Sequence, residues 1–146
     1  MFGLGKMFSK KKAAIEVKVA KVENRDLMEA IVAAAVLVAF SDGECSAEEL
    51  LTLQGIVETN DNLKHFGSEV GKTIDNYSAK YEASKRMAKV QLMKEITDVE
   101  ANEEEKIQVF IIAIDIADAD GNIDEDEMKV LKEIGKTLGL NPDAYI

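Results

Sequence analysis

Two stretches of this chain can be laid on one another without a gap. Ala39-Phe40-Ser41-Asp42-Gly43-Glu44-Cys45-Ser46-Ala47-Glu48-Glu49-Leu50 matches Ala117-Asp118-Ala119-Asp120-Gly121-Asn122-Ile123-Asp124-Glu125-Asp126-Glu127-Met128 at a constant offset of 78 residues. Asp42 falls on Asp120, Gly43 on Gly121 and Glu49 on Glu127. Two residues after each glycine stands a non-polar side chain, Cys45 or Ile123, and three after it a helix-capping type, Ser46 or Asp124. A long apolar helical pattern precedes each loop and an amphipathic one follows it. A repeat of this kind restricts the fold to two copies of one supersecondary unit. The expectation is two helix–loop–helix units related by a pseudo-twofold, with residues 60–100 between them.

The rest of the chain agrees with helices. Its 146 residues fit one domain. The only proline is Pro142, four residues from the end, so no other position lacks the N–H a helix interior needs. Hydrophobic residues make up 47% but aromatics only 5%, so the core is mostly Ala, Val, Ile, Leu and Met, which favours helix packing. Leu27, Ile31, Ala34, Ala35 and Val38 follow helical spacing and predict a helix from about Arg25 to Phe40. That helix is apolar almost all round, which places it at the centre of a bundle. Ser46 and Glu49 read as a capping box for a helix carrying Leu50, Leu53, Ile56 and Val57. Residues 63–81 predict a more polar helix with Leu63, Phe66, Val70, Ile74 and Tyr77 on its inner face. Residues 83–97 predict another, with Met87, Val90, Leu92, Met93 and Ile96 apolar. Glu103 to Ala117 is strongly helical, with Ile107, Phe110, Ile111, Ile114 and Ile116. A final helix runs from Glu125 to about Leu138, with Met128, Leu131, Ile134 and Leu138 inward, Gly139 beyond its end, and a short turn at Asn141-Pro142-Asp143.

Charge divides the chain unevenly. The net charge is −10, yet residues 1–22 hold six Lys and one Glu, leaving 12 basic and 27 acidic side chains in the remainder. The acidic part repels nucleic-acid phosphates, so no nucleic acid is expected as a partner. It attracts cations or a basic protein surface. Residues 1–22 read as a basic, flexible tail ahead of a helical domain at 23–146. Phe2, Leu4, Met7 and Phe8 among its lysines suit a weak contact with an anionic membrane surface, at about 1 kcal/mol per Lys. The same residues read more readily as a mobile solubilising terminus. The longest apolar run, residues 30–40, is 11 residues, against the roughly 20 that a span needs. The lysines of the first segment follow its apolar residues, which is not the order of a signal peptide. Cys45 is the single cysteine, so no internal disulfide forms. It reads as a small core-facing residue, and Asp42 and Glu44 beside it disfavour a thiolate.

The two loops carry the candidate chemistry. With Gly121 at the sixth position of an EF-hand calcium loop, Asp118 falls at the third, Asp120 at the fifth, Ile123 at the eighth and Glu127 at the twelfth. The first position is Ile116, which cannot ligate. In the other copy, Val38 and Phe40 stand at the first and third positions. Neither loop alone offers the six to eight oxygens calcium prefers. Together, Asp42, Glu49, Asp120 and Glu127 can supply four carboxylates to one shared region, with Asp118 and Asp124 adding more. The competing reading is that Ser46 with Glu49, and Asp124 with Glu127, are capping boxes and nothing further. Against it stand seven carboxylates between Asp115 and Glu127, where capping uses two; crowding like charges is costly without a cation.

These loops, each with Glu six residues after its Asp-Gly glycine, together with the Ala-rich first helix and the two-repeat layout, resemble the TerB family of tellurite-resistance proteins over about residues 24–140. The resemblance implies an all-α domain of about seven helices whose acidic surface binds a divalent metal ion, calcium first, as its cofactor. Carried onto this chain, the family's acidic positions are Asp42, Glu49, Asp120 and Glu127. It implies a bacterial protein, cytoplasmic or associated with the inner face of the membrane, acting with a membrane-embedded partner in resistance to tellurite, phage and colicins. Phe40, where the second loop has Asp118, makes the loops unequal and argues for one lopsided cation region. An enzyme is not expected: His65 is the only histidine, no nucleophile has a base near it in sequence, and Gly71-Lys72-Thr73 lacks the earlier glycine of a phosphate loop. Tellurite is an anion that this surface repels. The alternative function is a metal-independent acidic protein-interaction module.

Overall fold

The computed structural model describes residues 13–41, 47–59, 64–119 and 121–146, with side chains from Arg25 onward except at positions 47, 49 and 57. Among the described residues all regular structure is helical. In chain order these are α1 (Ala13–Ala39), α2 (Ala47–Thr59), a 3-10 turn (Lys64–Phe66), α3 (Ser68–Ala83), α4 (Lys85–Thr97), α5 (Glu103–Ala117), α6 (Glu125–Thr137) and a second 3-10 turn (Pro142–Ala144). Among the described residues, six α-helices and two short turns make the all-α fold that the sequence implies. No described helix is long and apolar enough to cross a membrane.

The central helix is α1, against which α2, α3, α4, α5 and α6 all pack. Every residue from Ala30 to Phe40 is buried, so the helix presents no solvent face over that stretch. Ala33, Ala34 and Ala35 are fully buried and let neighbouring helices approach from several sides. Extra methylenes inserted there would overpack the core by about 1–3 kcal/mol. The helix already includes Ala13, the first described residue, ahead of the start near Arg25 that its apolar spacing predicts, and so reaches into the segment read as a tail. No Gly or Pro lies between Lys6 and Asp42, so nothing in the sequence stops a helix earlier.

Two corrections concern breaks. The helix expected over residues 63–81 is divided at Gly67, whose φ of +48° favours glycine, and α3 then continues to Ala83. Ser84 next serves two helices. Its N–H closes α3 on the Lys80 carbonyl at 3.0 Å, and its Oγ accepts the Met87 N–H that opens α4.

Elsewhere the expected bounds hold. Helix α5 spans Glu103–Ala117 as read. Helix α6 closes in a Schellman motif: Gly139 has φ +75°, its N–H donates to Lys136 O, and the Leu140 N–H donates to Gly135 O at 2.8 Å. The loop before α5 is tied to the central helix where Asp26 Oδ2 accepts the Glu100 N–H at 2.7 Å.

Burial sharpens three faces. On α4 only Ala88, Leu92 and Ile96 are buried; Met87 and Val90 are 56% and 66% exposed. On α6 the inward stripe is Glu127, Leu131, Ile134, Gly135 and Leu138, with Met128 only half-buried. A carboxylate, not Met128, begins the buried stripe of the second unit. Ile111 of α5 also faces outward, while Phe110 beside it is fully buried.

Candidate metal centre

The turn between α5 and α6 is short and fully determined at both ends. Asp118 caps α5, its N–H donating to Ile114 O at 2.9 Å, and its own carbonyl accepts the Gly121 N–H at 2.9 Å. Gly121 has φ +84°, a conformation in which a Cβ is strained, and so reverses the chain. Ile123 then packs against the core, which fixes the far side of the turn. Asp124 caps α6: its Oδ1 accepts the Glu127 N–H at 2.8 Å, and Glu127 Oε1 accepts the Asp124 N–H at 3.0 Å. The capping box read from the sequence is therefore formed, using one oxygen of each carboxylate.

The six candidate ligands separate as follows. Asp118 and Asp124 are exposed, and Glu127 is buried, at 4% exposure. Asp42 and Asp120 lie outside the described residues, as does the side chain of Glu49, although Glu49 belongs to α2. The Ser46 half of the first capping box and Cys45 lie outside them too. Among the described residues, no three of His, Cys, Asp and Glu come together as a metal ion requires. The available donors are all carboxylate oxygens, a set that fits calcium or magnesium better than zinc or copper. His65 is exposed, its ring 4.3 Å from that of Phe66 and tilted by 35° to it, and forms part of no such group.

A second carboxylate grouping was not read from the sequence. Glu95 of α4 has its carboxyl raised above the usual range, first by burial and then by Glu29 and Asp26 of α1. Tyr77 of α3 hydrogen-bonds Glu29, and burial, with the charges of Glu95 and Glu29, pushes its phenol well above its ordinary value. The only sequence signal for this grouping is that polar positions on two helices, α3 and α4, face the central one. It borders a polar cleft of about 390 Å³ in which Arg25, Lys72 and Lys80 stand among the acids. Arg25 pairs with Glu29 at 3.5 Å and Glu69 at 3.3 Å, so this region carries its own compensating charge.

The chain matches the family model described as tellurite resistance protein TerB over residues 28–146, and it belongs to that family. No curated protein and no solved structure matched it. The matched span begins inside α1 and includes both Asp-Gly loops.

Proposed function

We propose that this chain is a divalent-cation-binding adaptor of a tellurite-resistance system, with calcium the first candidate, and that it is not an enzyme. The observation that carries the reading is the α5–α6 turn. Within ten residues it sets Asp118, the Gly121 reversal and the Asp124–Glu127 box in succession, with more carboxylate than two helix caps employ. Asp118, Asp124 and Glu127, joined by Asp120 and by Asp42 and Glu49 of the first loop, would hold the ion. Bound there, it would neutralise crowded negative charge and cross-link the two units. The hard oxygen donors support calcium or magnesium. Membership of a tellurite-resistance family supports the setting of tellurite, phage and colicin stress. Within it, the chain would act in the cytoplasm beside a membrane-embedded partner, with the Lys-rich start a weak additional contact.

Isothermal titration of calcium into chelator-treated protein tests the reading. Saturable heat, reduced in Asp42→Asn and Asp120→Asn, is expected. No heat, together with unchanged thermal stability of both variants in calcium, would sink it.

One observation favours a second reading. The capping box accounts for Asp124 and Glu127 locally, and no three described carboxylates come together as a metal ion requires. On that basis the acidic surface would bind a basic partner protein without metal. Partner capture unaffected by chelator and lost at high salt supports this reading over the first.

A further inference from the structure

The outward face of α4 is basic within a domain, residues 23–146, that is strongly acidic. Arg86, Val90, Lys94 and Thr97 follow helical spacing on one side, with Lys85 and Met87 beside them. All six are exposed. Val90 and Met93 floor a shallow groove of about 590 Å³, which Arg86, Lys89, Lys94 and Thr97 border. Lys89 is held by Glu133 of α6 at 3.3 Å. Lys85, Arg86 and Lys94 form no ion pair among the described residues. That is notable in a chain with 28 acidic and 18 basic side chains, where carboxylates to neutralise them are plentiful.

The chemistry of this face restricts its occupant. Its floor is apolar and includes methionine, whose flexible side chain adapts to varied partners. Its border is cationic. A complementary ligand therefore has hydrocarbon in the middle and carboxylates along the sides, the pattern of an acidic amphipathic helix laid in a groove. Nucleic acid fits poorly, because the face offers no aromatic ring for stacking and the chain as a whole repels phosphate. An anionic bilayer meets the same net repulsion, and one valine with two methionines buries little apolar area in it. We infer that the α4 face docks an acidic amphipathic helix of a partner protein, a surface separate from the Asp-Gly loops.

The test uses the full isotope-labelled chain and a synthetic amphipathic helix with leucine on one face and glutamate along both flanks. Saturable shifts of the Arg86–Thr97 amide signals are expected. They should vanish at about 1 M salt, where the Debye length is about 3 Å. The double variant R86E/K94E should bind about tenfold more weakly, because each contact changes from attraction to repulsion. Val90→Ser, which alters no charge, should also weaken binding. Both variants change exposed positions, and circular dichroism checks that helicity is retained. Calcium titration of R86E/K94E should match the wild type, so failure here is distinguishable from failure of the cation reading. Four results would overturn the inference: no shifts on α4, equal binding of a peptide with lysine in place of glutamate, α4 shifts produced by phosphatidylglycerol vesicles but not by the peptide, or α4 shifts that depend only on protein concentration, which would make a second copy the occupant.

Discussion

Helices α5 and α6 begin with the same hydrogen-bond pattern in different surroundings. At α5, Asn102 Oδ1 accepts the Glu105 N–H at 2.9 Å and Glu105 Oε1 accepts the Asn102 N–H at 3.0 Å. At α6 the corresponding distances, between Asp124 and Glu127, are 2.8 and 3.0 Å. The α5 box has a neutral cap and a half-exposed glutamate. The α6 box has a charged cap and a glutamate on the buried stripe of its helix. Asp118 and a glycine-requiring reversal precede it. Capping explains why glutamate stands third in both helices. It does not explain why only the second is set into the core at the end of a carboxylate-rich turn. The contrast separates an ordinary helix start from a candidate cation site built on one.

Removing the two glutamates should give unequal results. Glu127→Ala is expected to destabilise the chain by about 2 kcal/mol, since it opens space in the core and leaves the Asp124 N–H without its acceptor. Glu105→Ala should cost about 0.5–1 kcal/mol, the range of a lost exposed cap. Urea denaturation of both variants measures the difference, and equal losses would erase the contrast. Gly121→Ala should cost about 1 kcal/mol through its positive φ alone, because a Cβ there meets no neighbour. An unchanged denaturation midpoint would show that the reversal is not required.

The smallest effect concerns the other carboxylate grouping. Burial, then Glu29 and Asp26, raise the Glu95 pKa in the fold. The folded state therefore holds that proton more tightly than the unfolded chain does. Glu95 lowers stability at neutral pH, and the loss is relieved as pH falls through its folded pKa. Glu95→Gln should raise the melting temperature by about 1–2 °C at pH 7. The gap to the wild type should narrow as pH falls through the folded pKa of Glu95 and close below the unfolded value of about 4.3, where the glutamate is neutral in both states. A gap independent of pH would show that the variant acts through packing instead.

Much of this architecture was legible in the sequence, and the parts that were not have identifiable causes. The bounds of α5 and the start of α6 follow from local signals: Asn and Asp caps with glutamate three residues on, and Gly139 after the last turn. The extension of α1 ahead of Arg25 carried no such signal, because the apolar spacing that marks the helix begins only at Leu27. Spacing alone makes residues 63–81 one helix; the backbone conformation of Gly67, which decides the break, is not encoded in spacing. The exposed Met87 and Val90 show a different limit. Periodicity identifies the apolar positions of α4, yet tertiary packing decides which of them are covered. At the candidate site, the Asp124–Glu127 box was readable from four residues. The burial of Glu127 was not, because it depends on the register with which α6 meets the core.

The central claim is that the α6 box belongs to a cation site and the α5 box does not. Glutamine can replace glutamate in a capping box, so Glu127→Gln and Glu105→Gln both keep their helix starts while each removes one charge. The measurement is the melting temperature of the wild type and both variants, in chelator and in calcium. At a hundred times the dissociation constant, calcium should add about 2.7 kcal/mol, roughly 5–10 °C for a chain of this size. The wild type and Glu105→Gln should show that gain alike, and Glu127→Gln should lose most of it. No calcium-dependent gain in the wild type, or an undiminished one in Glu127→Gln, would contradict the account.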